Sequence, residues 1–284
     1  MKSNLIMIWA VLTLAMAVAA PLAWAQGTVS AIQSTARPMG LDIVGPVMVA
    51  GSDAAAADFQ KNSLPSINQL LGGTLSETTR LNDTSFALDP QKLSLKTASD
   101  VRVYFVGEGA GYSNTLGFSV SADGKPVGDS KLILPDASST VSFYDPKSTV
   151  KRTTSAPLLP GDYVNLGTFN TGSTLDFFLV ANGAAGGNNV FSTVTATNPD
   201  RINHVVAFAV PNSPYLVIGF EDMYGGGDRD FNDVLFAVDI GAQNVAALSG
   251  APEPALLVVL GVFVPMALWM RRRFAASPHD RQVA

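Results

Sequence analysis

The chain has 284 residues, 47% hydrophobic and 14% charged, enough to bury one sizeable core or two small ones and incompatible with a disordered protein. Cysteine is absent, so no disulfide can staple the fold and no thiol chemistry is available. Residues 26 to 254 carry 13 Lys plus Arg against 22 Asp plus Glu, a formal charge of −9 that argues against nucleic acid as a partner, and their single histidine, His204, rules out a zinc site built from several histidines.

The first residues read MKSNLIMIWAVLTLAMAVAAPLAWAQ, in which Lys2 precedes an apolar run and Ala23, Trp24 and Ala25 form an A-x-A site before Gln26. This pattern predicts a secretory signal peptide over residues 1 to 25, cut between Ala25 and Gln26. A retained membrane helix is the alternative, but the run is short for a span of about 20 residues. Residues 26 to 84 are rich in Ala, Ser, Gly and Thr and read as an irregular lead-in, with one weakly helical piece around AAAADFQKNSLPSINQLL.

From about residue 85 the character changes. The runs VRVYFV, NTLGFSVS, KLIL, STVSFY, DYVNLGTF, TLDFFLVA, NHVVAFAV, YLVIGF and DVLFAVDI are short, rich in β-branched and aromatic residues, and separated by Gly, Pro, Asn and Asp. Spaced about ten residues apart with no long amphipathic helix between them, they predict an all-β fold over residues 85 to 240, an antiparallel β-sandwich of jelly-roll type.

Several catalytic templates fail on spacing. GEGAGY, Gly107 to Tyr112, follows a strand, but a dinucleotide site needs G-x-G-x-x-G opening a helix, and here Gly111 comes one residue early and a strand follows. The G-x-S-x-G of a serine hydrolase is absent. His204 opens the run HVVAFAV, where a neutral imidazole bonded at a strand end is the ordinary explanation.

The stretch GFEDMYGGGDRDFNDVLF, 219 to 236, crowds Glu221, Asp222, Asp228, Asp230 and Asp233 into thirteen positions against Arg229 alone. Such repulsion is tolerable in water and costly in a compact loop unless a dication offsets it. Calcium fits the donors, because it is a hard cation taking six to eight oxygens, and Asp228, Asp230 and Asn232 on alternate residues let a curled loop aim at one centre. Gly225, Gly226 and Gly227 permit the reversal that folds Glu221 and Asp222 back toward Asp228. The candidate ligands are therefore Glu221, Asp222, Asp228, Asp230, Asn232 and Asp233. An EF-hand is excluded, since its sixth position would be Asp233 where that loop needs glycine and no helices flank it. GGGDRDFND matches one unit of a calcium-binding β-roll, but such units come in arrays. Two other readings stay open: a glycosidase using two of these carboxylates, and a solvated acidic turn without metal.

Together with VRVYFVGEGAGYSNTLGF (101 to 118), LLPGDYVNLGTF (158 to 169), FFLVANG (177 to 183) and NPDRINHV (198 to 205), the acidic stretch resembles the domain of unknown function 4114 over roughly residues 85 to 240. The resemblance implies a secreted bacterial all-β module with a calcium site and no established activity. It also implies Glu108 and Asn114 as secondary polar groups at that site. Met223 stands where the family has leucine after the Glu-Asp pair.

A polar linker over 241 to 251 leads to Pro252, Glu253 and Pro254, then to sixteen almost purely apolar residues, Ala255 to Met270, and to Arg271, Arg272 and Arg273, with a tail over 275 to 284. Sixteen helical residues span about 24 Å, slightly short of a hydrocarbon core, but flanking arginines snorkel and mark the cytoplasmic side. Triplet, helix and arginine cluster over 252 to 274 resemble the PEP-CTERM sorting signal of Gram-negative bacteria. That resemblance implies processing by an exosortase after transient anchoring in the inner membrane, and delivery to the cell surface, outer membrane or exopolysaccharide matrix. A plain inner-membrane anchor is the alternative. Taken together, the expectation is an exported, non-enzymatic surface or biofilm-matrix protein with a structural calcium loop, serving adhesion or association with exopolysaccharide or surface proteins.

Overall fold

The structure, a computed structural model, describes residues 32–75, 87–141 and 150–250. The expected signal peptide with its Ala25–Gln26 junction, the Pro252–Glu253–Pro254 triplet, the apolar helix and Arg271 to Arg273 lie outside the described residues. Among the described residues no helix is long and apolar enough to cross a membrane.

The chain is mostly β, in two antiparallel sheets. The larger has the order β1 (Ala87–Leu88), β9 (Val205–Ala209), β10 (Tyr215–Phe220), β11 (Val234–Asp239), β2 (Ser99–Gly107), β6 (Tyr163–Phe169). The smaller has the order β4 (Lys125–Pro126), β3 (Thr115–Ala122), β7 (Ser173–Ala181), β8 (Asn189–Ser192), with β5 (Lys131–Leu134) also on β3. The chain crosses between sheets at β2 to β3, β5 to β6, β6 to β7 and β8 to β9, while β9, β10 and β11 run as a meander within one sheet.

Period-two alternation builds the core between the sheets. Val103 and Phe105 on β2, Leu216 and Ile218 on β10 and Phe236 on β11 meet Leu116 and Phe118 on β3 and Leu175, Phe177 and Leu179 on β7 in one buried cluster. The rings of Phe177 and Phe236 touch across it at 5.3 Å.

On the other parity the larger sheet is also apolar. Tyr104, Val106, Val206, Phe208, Val217 and Leu235 are buried there beneath the lead-in. That segment forms α1 (Ala54–Asp58), a π-helical turn (Phe59–Ser63) and α2 (Leu64–Thr74). Its Phe59, Ile67 and Leu71 are fully buried against the sheet, each worth about 1.5–3 kcal/mol of apolar burial. Phe59 stacks on Tyr104 at 3.9 Å. Asp53 caps α1 by accepting from Ala56 N at 2.7 Å, and it ties the cap to the sheet through Arg102 at 3.0 Å and the Tyr163 hydroxyl at 2.9 Å. Residues 32–75, expected to be an irregular lead-in, are thus part of the fold: Val47 joins the inter-sheet core, and Ile43 and Met48 make bridges to Leu132 and Tyr163.

Of the nine runs, STVSFY is not a strand where it is described. Ser139 makes one isolated bridge to Leu158, and its N–H goes to Glu108 Oε1 instead of a ladder partner. Beyond β11, α3 (Ala242–Leu248) closes the described chain. Asn244 Oδ1 accepts from the N–H groups of Lys96 and Thr97 at 2.7 and 2.9 Å, and its Nδ2 donates to Thr97 O and Ile240 O at 3.0 and 2.7 Å.

Candidate metal centre

The acidic stretch is the hairpin loop between β10 and β11, closed where Phe220 pairs with Val234 and Asp233 N donates to Phe220 O at 3.0 Å. Its path depends on left-handed residues: Gly225, Gly226 and Gly227, then Arg229 at φ 64° and Phe231 at φ 57°. A bulky aromatic in that region is a steric outlier that persists only when its surroundings hold it. Here Phe231 N donates to Glu221 Oε1 at 2.8 Å, so the strained residue is fastened to a carboxylate. Gly227 admits no side chain, because a Cβ there would sit 2.4 Å from Glu221 Oε2.

This curl brings Glu221, Asp228 and Asp230 together, with one carboxylate oxygen from each within 4.8 Å of the others. Glu221 and Asp230 are 1% and 5% exposed, while Asp228 faces solvent. No lysine or arginine among the described residues pairs with any of the three. Burial first, then the charges of Asp228 and Asp230, pushes Glu221 up to about 7, and burial with Asp228 pushes Asp230 up to about 6. The donor set suits calcium: it is all oxygen, and ligands at about 2.3 to 2.6 Å from one ion lie up to roughly 5 Å apart.

The other expected ligands are arranged differently. Asn232 is buried and bonds Asp230 through its side-chain amide and its backbone N–H. Asp222 and Asp233 form an adjacent pair, with Asp222 N donating to Asp233 Oδ2 at 2.8 Å. Burial raises both above the ordinary carboxylate range, joined by the charge of Asp228 at Asp222 and by the charge of Asp222 at Asp233. Asn114, 1% exposed, donates through Nδ2 to Asp222 Oδ2 at 2.7 Å, which places it beside the pair. Glu108 lies on the same side, where burial and the charges of Asp136 and Asp222 push it up to about 7 while Ser139 N donates to it at 3.1 Å. The six loop residues therefore divide into a convergent trio with Asn232 bonded to it, and a flanking pair that faces Asn114.

Two supporting residues were not among the sequence candidates. Asp200 Oδ2 accepts from Gly225 N at 2.8 Å and meets His204 Nε2 at 2.8 Å, while His204 Nδ1 lies 3.1 Å from Glu221 O. His204 is fully buried and stacked on Phe191 at 3.8 Å. Together they hold the first half of the loop at both ends. Only the quoted NPDRINHV stretch hinted at this, since the (i, i+4) spacing of Asp200 and His204 in an irregular segment predicts no contact.

A family model described as "Domain of unknown function (DUF4114)" matches residues 169–241. The matched segment takes in β7 to β11, Asp200, His204 and the acidic loop, but neither Glu108 nor Asn114. No curated protein and no solved structure matches the chain.

Proposed function

We propose that this is an exported β-sandwich protein of a Gram-negative cell surface or biofilm matrix. In this reading its 221–233 loop binds calcium structurally, it is processed by an exosortase, and it serves adhesion or the organisation of exopolysaccharide. The observation that carries the calcium reading is the convergence of Glu221, Asp228 and Asp230, two of them buried, with no lysine or arginine among the described residues paired to them. Taking carboxylates out of water is costly unless a cation meets them. Glu221, Asp228 and Asp230 would hold the ion, whose positive charge would offset theirs. Export and sorting rest on the sequence patterns at the two ends.

The arrangement favours binding over hydrolysis. A glycosidase sets its two carboxyl groups across an open cleft, about 5 to 5.5 Å or 6.5 to 9.5 Å apart, with the sugar between them. Glu221 and Asp230 instead lie buried and turn toward a common point.

Thermal melts of the protein purified after expression of the whole chain test the reading. An ion that binds only the folded state at about 100 times its Kd adds roughly 2.7 kcal/mol, which raises the melting temperature by several degrees. Equal melting temperatures in millimolar calcium and in chelator would overturn it.

A further inference from the structure

The outward face of the smaller sheet carries a pocket of about 310 Å3, at the low end of the range for small-ligand sites, and no acidic-loop residue lines it. Register assembles its floor. Ser119 on β3 stands opposite Asp176 on β7, and Phe178 stands between Gly117 on β3 and Ser192 on β8. Phe118, Phe177 and Leu179 alternate with these residues and face the core, so the floor residues point away from it. The Phe178 ring lies across Gly117, where a Cβ would come within 2.3 Å of its Cζ. Met39 and Val194 form parts of the rim. Met39 is 62% exposed and held at φ 58°, a conformation that L residues rarely adopt.

Asp176 is the anomaly in this pocket. Aspartate is depleted in strands, and here its half-buried carboxylate makes no hydrogen bond or ion pair with any described residue. Desolvation raises its pKa with nothing to offset it. The carboxylate lines the pocket and is open to a partner from solution. Its complement carries a positive charge. The hydroxyls of Ser119 and Ser130 want polar partners, and the apolar surfaces of Phe178, Val190 and Val194 want an apolar face. A neutral sugar lacks the charge, and a plain diamine lacks the hydroxyls.

We propose that this pocket binds an amino-sugar unit, a pyranose ring bearing a free ammonium group, within a partly de-N-acetylated polysaccharide. Asp176 takes the ammonium, the serines take ring hydroxyls, and the C–H face of the ring lies against Phe178. The net charge of −9 over residues 26 to 254 draws such a polycation toward the surface. The proposal rests on the exopolysaccharide part of the function above and stands on residues outside the acidic loop, so it holds with or without calcium.

The test titrates the protein, purified after expression of the whole chain, with a glucosamine tetramer, its fully N-acetylated counterpart and spermidine at physiological salt. The glucosamine tetramer binds, the N-acetylated tetramer does not, and Asp176→Asn weakens binding at least about tenfold, because one partner of a charge pair is gone. Since Asp176→Asn removes an unpaired desolvated charge, its melting temperature does not fall, which separates lost binding from lost fold. Absence of binding, equal binding of the N-acetylated tetramer, equal binding by Asp176→Asn, or spermidine binding as tightly as the tetramer each overturns the proposal. Repeating the titration in chelator keeps the two readings apart. Oligomer binding without calcium stabilisation sinks the metal reading alone, and calcium stabilisation without oligomer binding sinks this one alone.

Discussion

Asn114 and Asp222 are 108 positions apart in the chain and share a buried hydrogen bond of 2.7 Å, which joins the start of the smaller sheet to the acidic loop of the larger one. The other end of the same amide accepts from Asn182 N at 2.9 Å, so Asn114 cannot turn away. Asn114→Ala leaves a buried carboxylate without its donor and is expected to cost about 1–3 kcal/mol. Urea unfolding measures this, and a variant as stable as the parent would mean that water serves Asp222 equally well.

Replacing Asp228 and Asp230 together by asparagine removes two of the three convergent carboxylates. The calcium-dependent rise in melting temperature is expected to vanish for the most part, while in chelator the variant is no less stable than the parent, since like charges that repel one another have been removed. A variant that keeps the full calcium increment places the ion elsewhere.

The pH dependence has a definite sign. Glu221 and Glu108, each pushed up to about 7, and Asp230, pushed up to about 6, bind protons more tightly in the folded chain than in the unfolded one. Their contribution is fully present below about pH 4 and is lost as pH rises through about 6 to 7. Asp53 works oppositely: the hydrogen bond from Arg102 leads in holding it down at about 2, so its contribution is lost only on acidification below about pH 4. In chelator the melting temperature therefore falls between about pH 5 and pH 8, and millimolar calcium opposes the fall. A metal-free melting temperature that climbs over that interval contradicts the burial of these carboxyls.

Phe59→Ala empties the centre of the contact between helix and sheet and is expected to cost about 3–5 kcal/mol by denaturant unfolding. A loss below about 0.5 kcal/mol would show that the helical segment adds nothing to the cooperative unit.

Neutral replacements at Arg271, Arg272 and Arg273 are expected to impair anchoring, because the apolar segment loses its charged stop. Cell fractionation reads the outcome. Normal surface amounts of a chain lacking both the arginines and the Pro252–Glu253–Pro254 triplet contradict the sorting reading.

Alternation made the long strands legible. VRVYFV, TLDFFLVA, YLVIGF and DVLFAVDI became β2, β7, β10 and β11, because their apolar residues line the inter-sheet core at period two. NVFS was too short and polar to register as β8, and the two-residue strands β1 and β4 left no pattern to find. VVAFA and YLVIGF are apolar on both parities and buried on both faces, which demands a cover on the outer side. AAAADFQKNSLPSINQLL is that cover, and it looked weakly helical because its apolar residues are spaced by a π-helical turn at Phe59–Ser63. At the site, crowding of like charge along the chain pointed to the loop. The division into a convergent trio and a flanking pair arises from the left-handed Arg229 and Phe231, whose conformations no residue preference announces.

Asn244 also bears on how the domain would carry load. If the chain is tethered beyond residue 250, tension enters through α3, and before it reaches β11 it meets an amide bonded to the backbone at Lys96, Thr97 and Ile240. Lys96 and Thr97 lead directly into β2, the strand paired with β11. A pull on such a tether would thus be shared between two neighbouring strands, β11 directly and β2 through the Asn244 amide, instead of falling on β11 alone.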